Sequence, residues 1–504
     1  MTISRFTKAI SSIFPVALSV ACSSTPNANT NAGDASTDAG PPQLEDASSD
    51  GSTSASDIPV YVRADLAQWS NMSAARAEDG RIHLLVAKTP IADSRAAPSY
   101  SWVDAEPDGR IARDGDFPAL PGARLSPIAM VGGAQDWFMD APSPRVSPAE
   151  RPRPHLLNLS PTPSSDAGAV RPLPFLLADA FEGGQPIEDA YRARCASKDP
   201  LFVLRGFGPT AYVRAWHLAT GEDVVITSNC GFTRWLKLAA DGTRLAESTL
   251  ADFSTLEGTP EGVGFVPMAT TFDVQADGAT TAVLNIQDGW PWTAVLASMG
   301  LPPQEPRASR QVVVHLDGKG TVLWRTVLTS DTVRAPSVMA TTRSAIHVIG
   351  ETYHRTERPG DTLEADVWIA SLDATTGAVL RERVLDVEGE DSPDAAIADP
   401  RGGFVLALRT GAIQVDSGSV VTFPDVTLIA LDDQLNERDR LRFGSPRADG
   451  VTTLSWLDDT RLLVAGNWDG PITHTPDAER HAAGFWATVP LGNWRERTVI
   501  PKPW

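Results

Sequence analysis

The groups in this 504-residue chain with chemistry to offer are eight histidines, three cysteines and one dense acidic run. His347 with His354, and His474 with His481, stand seven residues apart across expected strand ends or loops. That spacing suits surface or hydrogen-bonded imidazoles better than a shared metal ion. Asp386-Val-Glu388-Gly-Glu390-Asp391-Ser-Pro-Asp394 offers hard oxygens of the kind calcium takes. It lacks the glycine at position six and the glutamate at position twelve of the familiar calcium loop, so it reads as a solvated acidic turn. G-x-S-x-G, H-E-x-x-H and C-x-x-C are all absent, which removes the local signatures of an elbow hydrolase, a zincin and a thiol redox site. No catalytic residue, metal site or cofactor is assigned.

The elements that would carry any site repeat. Val367–Leu372 has counterparts at Val426–Leu431, Phe485–Val489 and Val312–Leu316, and Phe404–Leu408 at Leu462–Gly466 and Ile346–Gly350, with spacings of 56 to 59 residues. A fixed period of this length marks one supersecondary unit that buries its apolar face against copies of itself. The unit is best seen over residues 366–411. Its runs VWIASL and FVLALR are β-branched and aliphatic, bounded by Asp, Gly or Pro, and they read as strands. Turns such as Asp317 to Gly320 and Asp373 to Gly377 join them as antiparallel hairpins. Because Val367 to Ala370 and Phe404 to Leu408 are apolar at every position, both faces of each sheet must be covered. Radially stacked four-stranded sheets do this, so the fold class expected is all-β, a β-propeller of seven blades.

In chain order, Arg5 and Lys8 precede an apolar stretch, Ala9 to Val20, too short to span a membrane and suited to a signal peptide over 1–21. Leu18-Ser-Val-Ala-Cys22 resembles the lipobox of bacterial lipoproteins, which implies a diacylated Cys22 as the mature N-terminus. Ser19 stands where leucine is usual in that motif, and Ser19-Val20-Ala21 equally forms a small-x-small site that would release a soluble protein. Ser23 after the cysteine implies, by the same resemblance, sorting to the outer membrane of a Gram-negative bacterium. Residues 22–57 hold almost no large apolar side chain and read as a flexible tether, about 30 Å end to end.

The propeller domain is expected over 58–504. Ser73 to Ala87 reads as the second half of the repeat and 484–500 as the first half, so the two termini are expected to pair and close the ring. In an exported chain Cys195 and Cys230 are expected to form a disulfide, two unpaired buried cysteines being the alternative. Losing Arg5 and Lys8 with the signal moves the formal net charge from -20 to -22. Nucleic acid is excluded as a partner, and membrane contact is expected through the lipid alone.

SLDATTGAVL (371–380), HLDGKGTVLW (315–324) and HLATGEDVV (217–225) resemble the strand-turn-strand hairpins of pyrroloquinoline-quinone enzymes and of the bacterial seven-bladed propeller repeat proteins related to them. The resemblance covers 270–500 most clearly. In those enzymes a tryptophan closing each hairpin docks blade to blade; Trp324 matches it, whereas Arg381 takes the place in the next unit. The vicinal cysteine pair of those dehydrogenases is absent, so the resemblance implies the fold and not the activity. The S-x-D-x-G-x-x-W boxes of sialidase propellers are absent too.

Two functions remain open. One is a non-catalytic, surface-tethered propeller, monomeric, binding a protein or glycan of the cell envelope. The other is an envelope hydrolase, lyase or oxidoreductase whose site gathers residues from several blades. Between Asn285 and Gln311 the repeat is interrupted, so that Leu238 and Leu316 lie 78 residues apart. The insert carries Trp290 and Trp292 around a proline. A rigid loop with two tryptophans suits a binding surface, and the same side chains could instead cap a neighbouring core.

Overall fold

The structure, a computed structural model, describes residues 57–62, 68–78, 80–90, 99–117, 126–128, 137–142, 154–160, 169–172, 212–218, 220–229, 232–239, 243–252, 268–287, 309–355, 363–387, 389–411, 413–416, 419–422, 425–444, 449–468 and 483–503. Cys22, Cys195, Cys230, Trp290 and Trp292 lie outside them. The described part is all-β apart from the one-turn 3-10 helix Trp494–Glu496, and no helix is long and apolar enough to cross a membrane.

The strands pair into six four-stranded sheets, one five-stranded sheet and a two-stranded ribbon. Sheet I holds Gln68–Glu78, Arg81–Pro90, Ser99–Ala105 and Ile111–Asp116. Sheet II holds Ser126–Ile128, Trp137–Pro142, Pro154–Ser160 and Ala169–Pro172. Sheet III comes next with Tyr212–His217, Asp223–Asn229, Phe232–Leu238 and Arg244–Asp252, then sheet IV with Met268–Val274, Thr280–Gln287, Ser309–Leu316 and Val322–Ser330. Sheet V is Arg334–Thr341, Ala345–Arg355, Leu363–Asp373 and Val379–Leu385. Sheet VI is Glu390–Ala398, Phe404–Gly411, Asp425–Leu431 and Glu437–Phe443, with the ribbon Ile413–Asp416 and Ser419–Thr422 inserted between its second and third strands. Sheet VII is Gly450–Asp458, Arg461–Trp468 and Ala483–Pro490, then the N-terminal strand Asp57–Val62, and finally Thr498–Pro503.

Two sequence expectations change. The repeat at 366–411 straddles two sheets, because Val367–Leu372 lies in the third strand of sheet V and Phe404–Leu408 in the second strand of sheet VI. Ser73 to Ala87 does not complete the terminal sheet; it spans the first two strands of sheet I, which has four of its own. The N-terminal partner of the C-terminal strands is Asp57–Val62, paired antiparallel as Val60 to Ala487, Tyr61 to Trp486 and Val62 to Phe485.

Continuous apolar strands result from packing on both faces. Phe404, Leu406 and Leu408 join a core with Ile349, Val367 and Ile369 of sheet V, while Val405 and Ala407 join one with Leu462, Val464 and Phe485 of sheet VII. Similar shared cores join sheets III and IV, IV and V, and VII and I. Sheet II approaches the first strand of sheet I through its own first strand, and the first strand of sheet III through its first two.

A second device links the sheets at the end where strand three turns into strand four. Trp324 Nε1 of sheet IV donates to Ala374 O of sheet V at 3.1 Å, and Thr326 Oγ1 to Gly377 O at 2.6 Å. Sheet III grips the Asp317–Gly320 turn in the same way, through Ser248 Oγ and Gly320 O, with the Trp235 ring against Gly320. The left-handed φ of 83° and that close ring both require glycine there. Sheet V lacks the tryptophan, and Arg383 takes over by donating to Leu435 O of sheet VI. On sheet VII, Tyr61 OH donates to Asp108 O of the Glu106–Arg110 turn of sheet I at 2.5 Å.

Candidate functional site

The connections differ sharply between the two ends of the sheets. At one end lie the described tight turns between strands one and two and between three and four, such as Asp317–Thr321, Asp373–Ala378, Asp399–Gly403 and Asp432–Asn436. At the other end stop the strands that flank the intervals 173–211, 288–308, 412–424 and 469–482, which join second to third strands or one sheet to the next. The Trp290 and Trp292 insert is among them, joining neighbouring strands of sheet IV. We call these the turn end and the loop end.

Polar side chains gather at the loop end of sheets V, VI and VII. The first strand of sheet VI bulges between Pro393 and Ala395, leaving Asp394 without a cross-strand partner. Bulges re-aim side chains, and this one turns Asp394 toward its neighbours. Its carboxylate accepts from Arg409 Nε at 2.7 Å and from Val451 N of sheet VII at 2.9 Å. Arg409 Nη2 donates to Ser392 Oγ at 3.1 Å, and Ser392 Oγ to Glu351 Oε1 of sheet V at 2.6 Å. Tyr353 OH donates to Glu351 Oε2. Burial, with Glu351 nearby, pushes the Asp394 carboxyl up against the opposing pull of Arg409 and Val451 N.

The same bulge recurs in the first strands of sheets I, IV, V and VII, at Ser73, Thr270, Ser337 and Thr452. Four hydroxyl residues and one carboxylate occupy one structural position. Ser337 Oγ uses it to reach Pro393 O of the next sheet at 3.4 Å, the same kind of link that Asp394 makes to Val451. Asp394→Ala is expected to cost roughly 2–3 kcal/mol in urea unfolding, because the buried hydrogen bond to Arg409 is lost and Val451 N loses its acceptor. Asp394→Ser restores the residue type of the other repeats and is expected to recover more than half of that loss. A serine variant no better than alanine would show that the carboxylate itself holds the sheets together.

Beside this network the carboxylates of Asp366, Asp386 and Asp391 converge, with oxygens within 4.8 Å of one another. The acidic run is therefore more than a solvated turn: Asp391 is buried on the first strand of sheet VI and accepts from Val387 N at 2.7 Å. Three hard oxygen donors are the residues that could hold a divalent cation.

Two polar rows sit at the turn end. His83 Nδ1 lies 2.7 Å from Asp104 Oδ1, and Arg113 Nε donates to Asp104 Oδ2 at 3.0 Å. Burial pushes the Asp104 carboxyl up, but hydrogen bonds from His83 and Arg113 outweigh it and hold it below the usual range. His347 Nδ1 lies 2.8 Å from Ser371 Oγ, with its ring centroid 4.4 Å from that of Phe404. His347 is thus a buried, hydrogen-bonded histidine. Nothing in the sequence pattern marks Glu351, Tyr353 and Arg409, and it shows Ser392 and Asp394 only as members of the acidic run. Alignment of Ser73-Ala-Ala with Asp394-Ala-Ala held the one available signal, a carboxylate at a hydroxyl position.

No family model matches the sequence, and no curated protein matches it. Among solved structures, the polysaccharide lyase Uly1 is similar at 9% identity and a TM-score of 0.44, over 84% of this chain and 90% of that one. The WD40 domain of Neurospora crassa Pan2 is similar at 9% identity and a TM-score of 0.39, over 84% and 97%. A protein of unknown function from Dyadobacter fermentans is similar at 12% identity and a TM-score of 0.36, over 86% and 98%. Likenesses at this level carry no argument about what the chain binds or transforms.

Proposed function

We propose that the chain is an exported, monomeric lipoprotein, tethered through diacylated Cys22 to the outer membrane. Its seven larger sheets are the blades of one closed β-propeller, and it acts as a non-catalytic binding protein for a protein or glycan of the cell envelope. Closure is supported by the cyclic order of contacts, since sheet VII meets sheet I by the same shared core and the same turn docking that join sheets within the series. The observation that carries the binding reading is the placement of the long connections. They join strand ends on one side of the sheets, two of them within sheets VI and VII, while the described turns on the opposite side are tight. Rigid sheets presenting long loops at one mouth are how propellers build recognition surfaces.

The test is crosslinking in the native envelope, then capture of the full chain. Trp290→Ala with Trp292→Ala is expected to leave the melting temperature within a degree or two and to reduce the crosslinked partner at least tenfold, since paired aromatics dominate such contacts. Lost stability with capture retained would place the two side chains in a core and the binding surface elsewhere. Turnover in a panel of envelope glycans would replace the binding reading with the enzymatic one.

A further inference from the structure

We propose that the outer edge of the fourth strand of sheet V, Val379–Leu385, receives an extended segment of a partner protein as a fifth strand, acidic and apolar at alternating positions. The proposal goes beyond the loop-end reading and rests neither on the anchor at Cys22 nor on Trp290 and Trp292. The edge lies on the far side of sheet V from its first strand, whereas it is the first strands that approach one another between sheets.

An edge strand leaves a row of backbone N–H and C=O groups without strand partners, and proteins blunt such rows with proline, lysine, bulges or a covering segment. Sheet VII ends in Thr498–Pro503, which carries Pro501, Lys502 and Pro503. The edge of sheet VI, Glu437–Phe443, is held by the C-terminal turn, with Trp494 N on Asp439 Oδ2 at 2.9 Å and Arg495 Nη2 on Glu437 Oε1 at 2.7 Å. Val379–Leu385 contains no proline or lysine. Past a bulge at Leu380 it runs in regular register, from Arg381 opposite Ser371 to Leu385 opposite Val367. Every residue from Val379 to Val384 is exposed. Val379, Leu380 and Val384 are 44%, 51% and 49% exposed, three of the six large apolar side chains that stand so open among the described residues. Apolar exposure is therefore concentrated on this one edge, which is how an interaction surface differs from scattered surface residues.

The charges of the strand select the partner's chemistry. Glu382 is neutralised within sheet V, its Oε2 accepting from Arg334 Nη1 at 2.8 Å and from Trp368 Nε1 at 3.3 Å. Arg383 Nη1 donates to a neutral carbonyl, Leu435 O. Arg381 is exposed and lies near His347, while Asp433, the acidic group near the same ring, accepts from Gly403 N. Neither guanidinium is joined to a carboxylate by a contact among the described residues. Two positive charges are thus left over at the edge of a chain whose formal net charge is -20. Successive side chains of a strand alternate between its faces, so Arg381 and Arg383 lie with Leu385 on the face turned to sheet VI, and Glu382 and Val384 on the other. An added strand meets them pair by pair, with carboxylates beside the two arginines and an apolar side chain beside Val384. A glycan has no backbone amides to fill the open row, so the occupant is a polypeptide.

The probe is a fluorescein-labelled heptapeptide of alternating valine and glutamate, titrated with the full chain in detergent micelles at physiological salt, where charges are screened beyond about 8 Å. It is expected to bind roughly fivefold tighter than its valine-lysine counterpart, against the sign of the chain's net charge. An analogue with ester linkages in place of its amides keeps the carboxylates and loses the N–H donors, and is expected to bind at least roughly fivefold more weakly. Arg381→Glu, a change at an exposed position, is expected to leave the melting temperature unchanged and to reverse the preference between the acidic and the basic peptide. Hydrogen exchange locates the contact, with slower exchange expected over 381–385 and not on the outer strands of sheets III and IV. Any one of four results overturns the proposal: an acidic peptide that binds no tighter than the basic one, an ester analogue that binds as the peptide does, an Arg381→Glu variant with the wild-type preference, or protection confined to other strands.

Discussion

Deleting residues 57–62 while joining the tether directly to residue 63 is expected to abolish cooperative unfolding and to give aggregation at physiological temperature. The strand contributes Ile58, Val60 and Val62, each at most 1% exposed, to the core shared by sheets VI and VII, and Tyr61 to the core shared by VII and I. Burial of the three aliphatic side chains alone stabilises by roughly 5–8 kcal/mol. That is comparable to the whole net stability of a typical domain. The deletion also frees the backbone of Phe485, Trp486 and Ala487, an apolar edge ready to pair with another chain. A gentler variant, Val60→Asp, places an uncompensated charge among Val464, Ala487 and their neighbours and is expected to cost more than about 4 kcal/mol. Thermal unfolding monitored together with light scattering checks both. A deletion variant that stays monodisperse and melts as the wild type would show that the N-terminal strand does not hold the ends of the chain together.

That strand was also the feature least visible in the sequence. Asp57 to Val62 reads DIPVYV, too short to show a period, and it comes after a polar segment with no repeat of its own. Its partner lies more than four hundred residues away, so nothing local marks it as the fourth strand of the last sheet. The repeat itself was plain, because strands such as Phe404–Gly411 are packed on both faces and are apolar at every position from Phe404 to Leu408. A period reports repetition and leaves its phase open. Sheets V and VI are joined by only 386–389, whereas strands two and three of sheet IV are separated by 288–308. Closeness along the chain therefore grouped strands from two sheets into one apparent unit.

Docking between sheets was legible where a tryptophan served it and hidden where Arg383 did, since an arginine two residues past the expected position reaches the same kind of turn carbonyl. The loop-end network stayed hidden for a related reason. Glu351, Ser392, Asp394 and Arg409 come from three strands of two sheets, and only a shared bulge position ties Asp394 to Ser73, Ser337 and Thr452.

The second large effect is on acid stability. His347 is fully buried between sheets V and VI, with Nδ1 on Ser371 Oγ, and its Nε2 meets no hydrogen-bonding group among the described residues. Burial lowers its pKa to about 4; Asp433 pulls it upward and Arg381 opposes protonation, the two charges partly cancelling. The unfolded chain, with an ordinary histidine near 6.5, therefore binds the proton first. Stability from the neutral ring is complete above pH 6.5, falls as pH drops below that value, and stops falling near pH 4. At about 1.4 kcal/mol per pH unit the loss approaches 3 kcal/mol over this window. His347→Gln keeps a hydrogen-bonding side chain for Ser371 and removes the titration. It is expected to be less stable at pH 7.5, where the ring's packing against Phe404 is lost, and to have a flatter profile down to pH 4.5. Carboxylates held low in the fold, such as Asp104, add their own loss only at more acid pH, so the two contributions separate along the axis. Urea unfolding of both proteins at pH 7.5, 6.0 and 4.5 decides it: parallel profiles would show that His347 stays neutral in both states or finds a partner when charged.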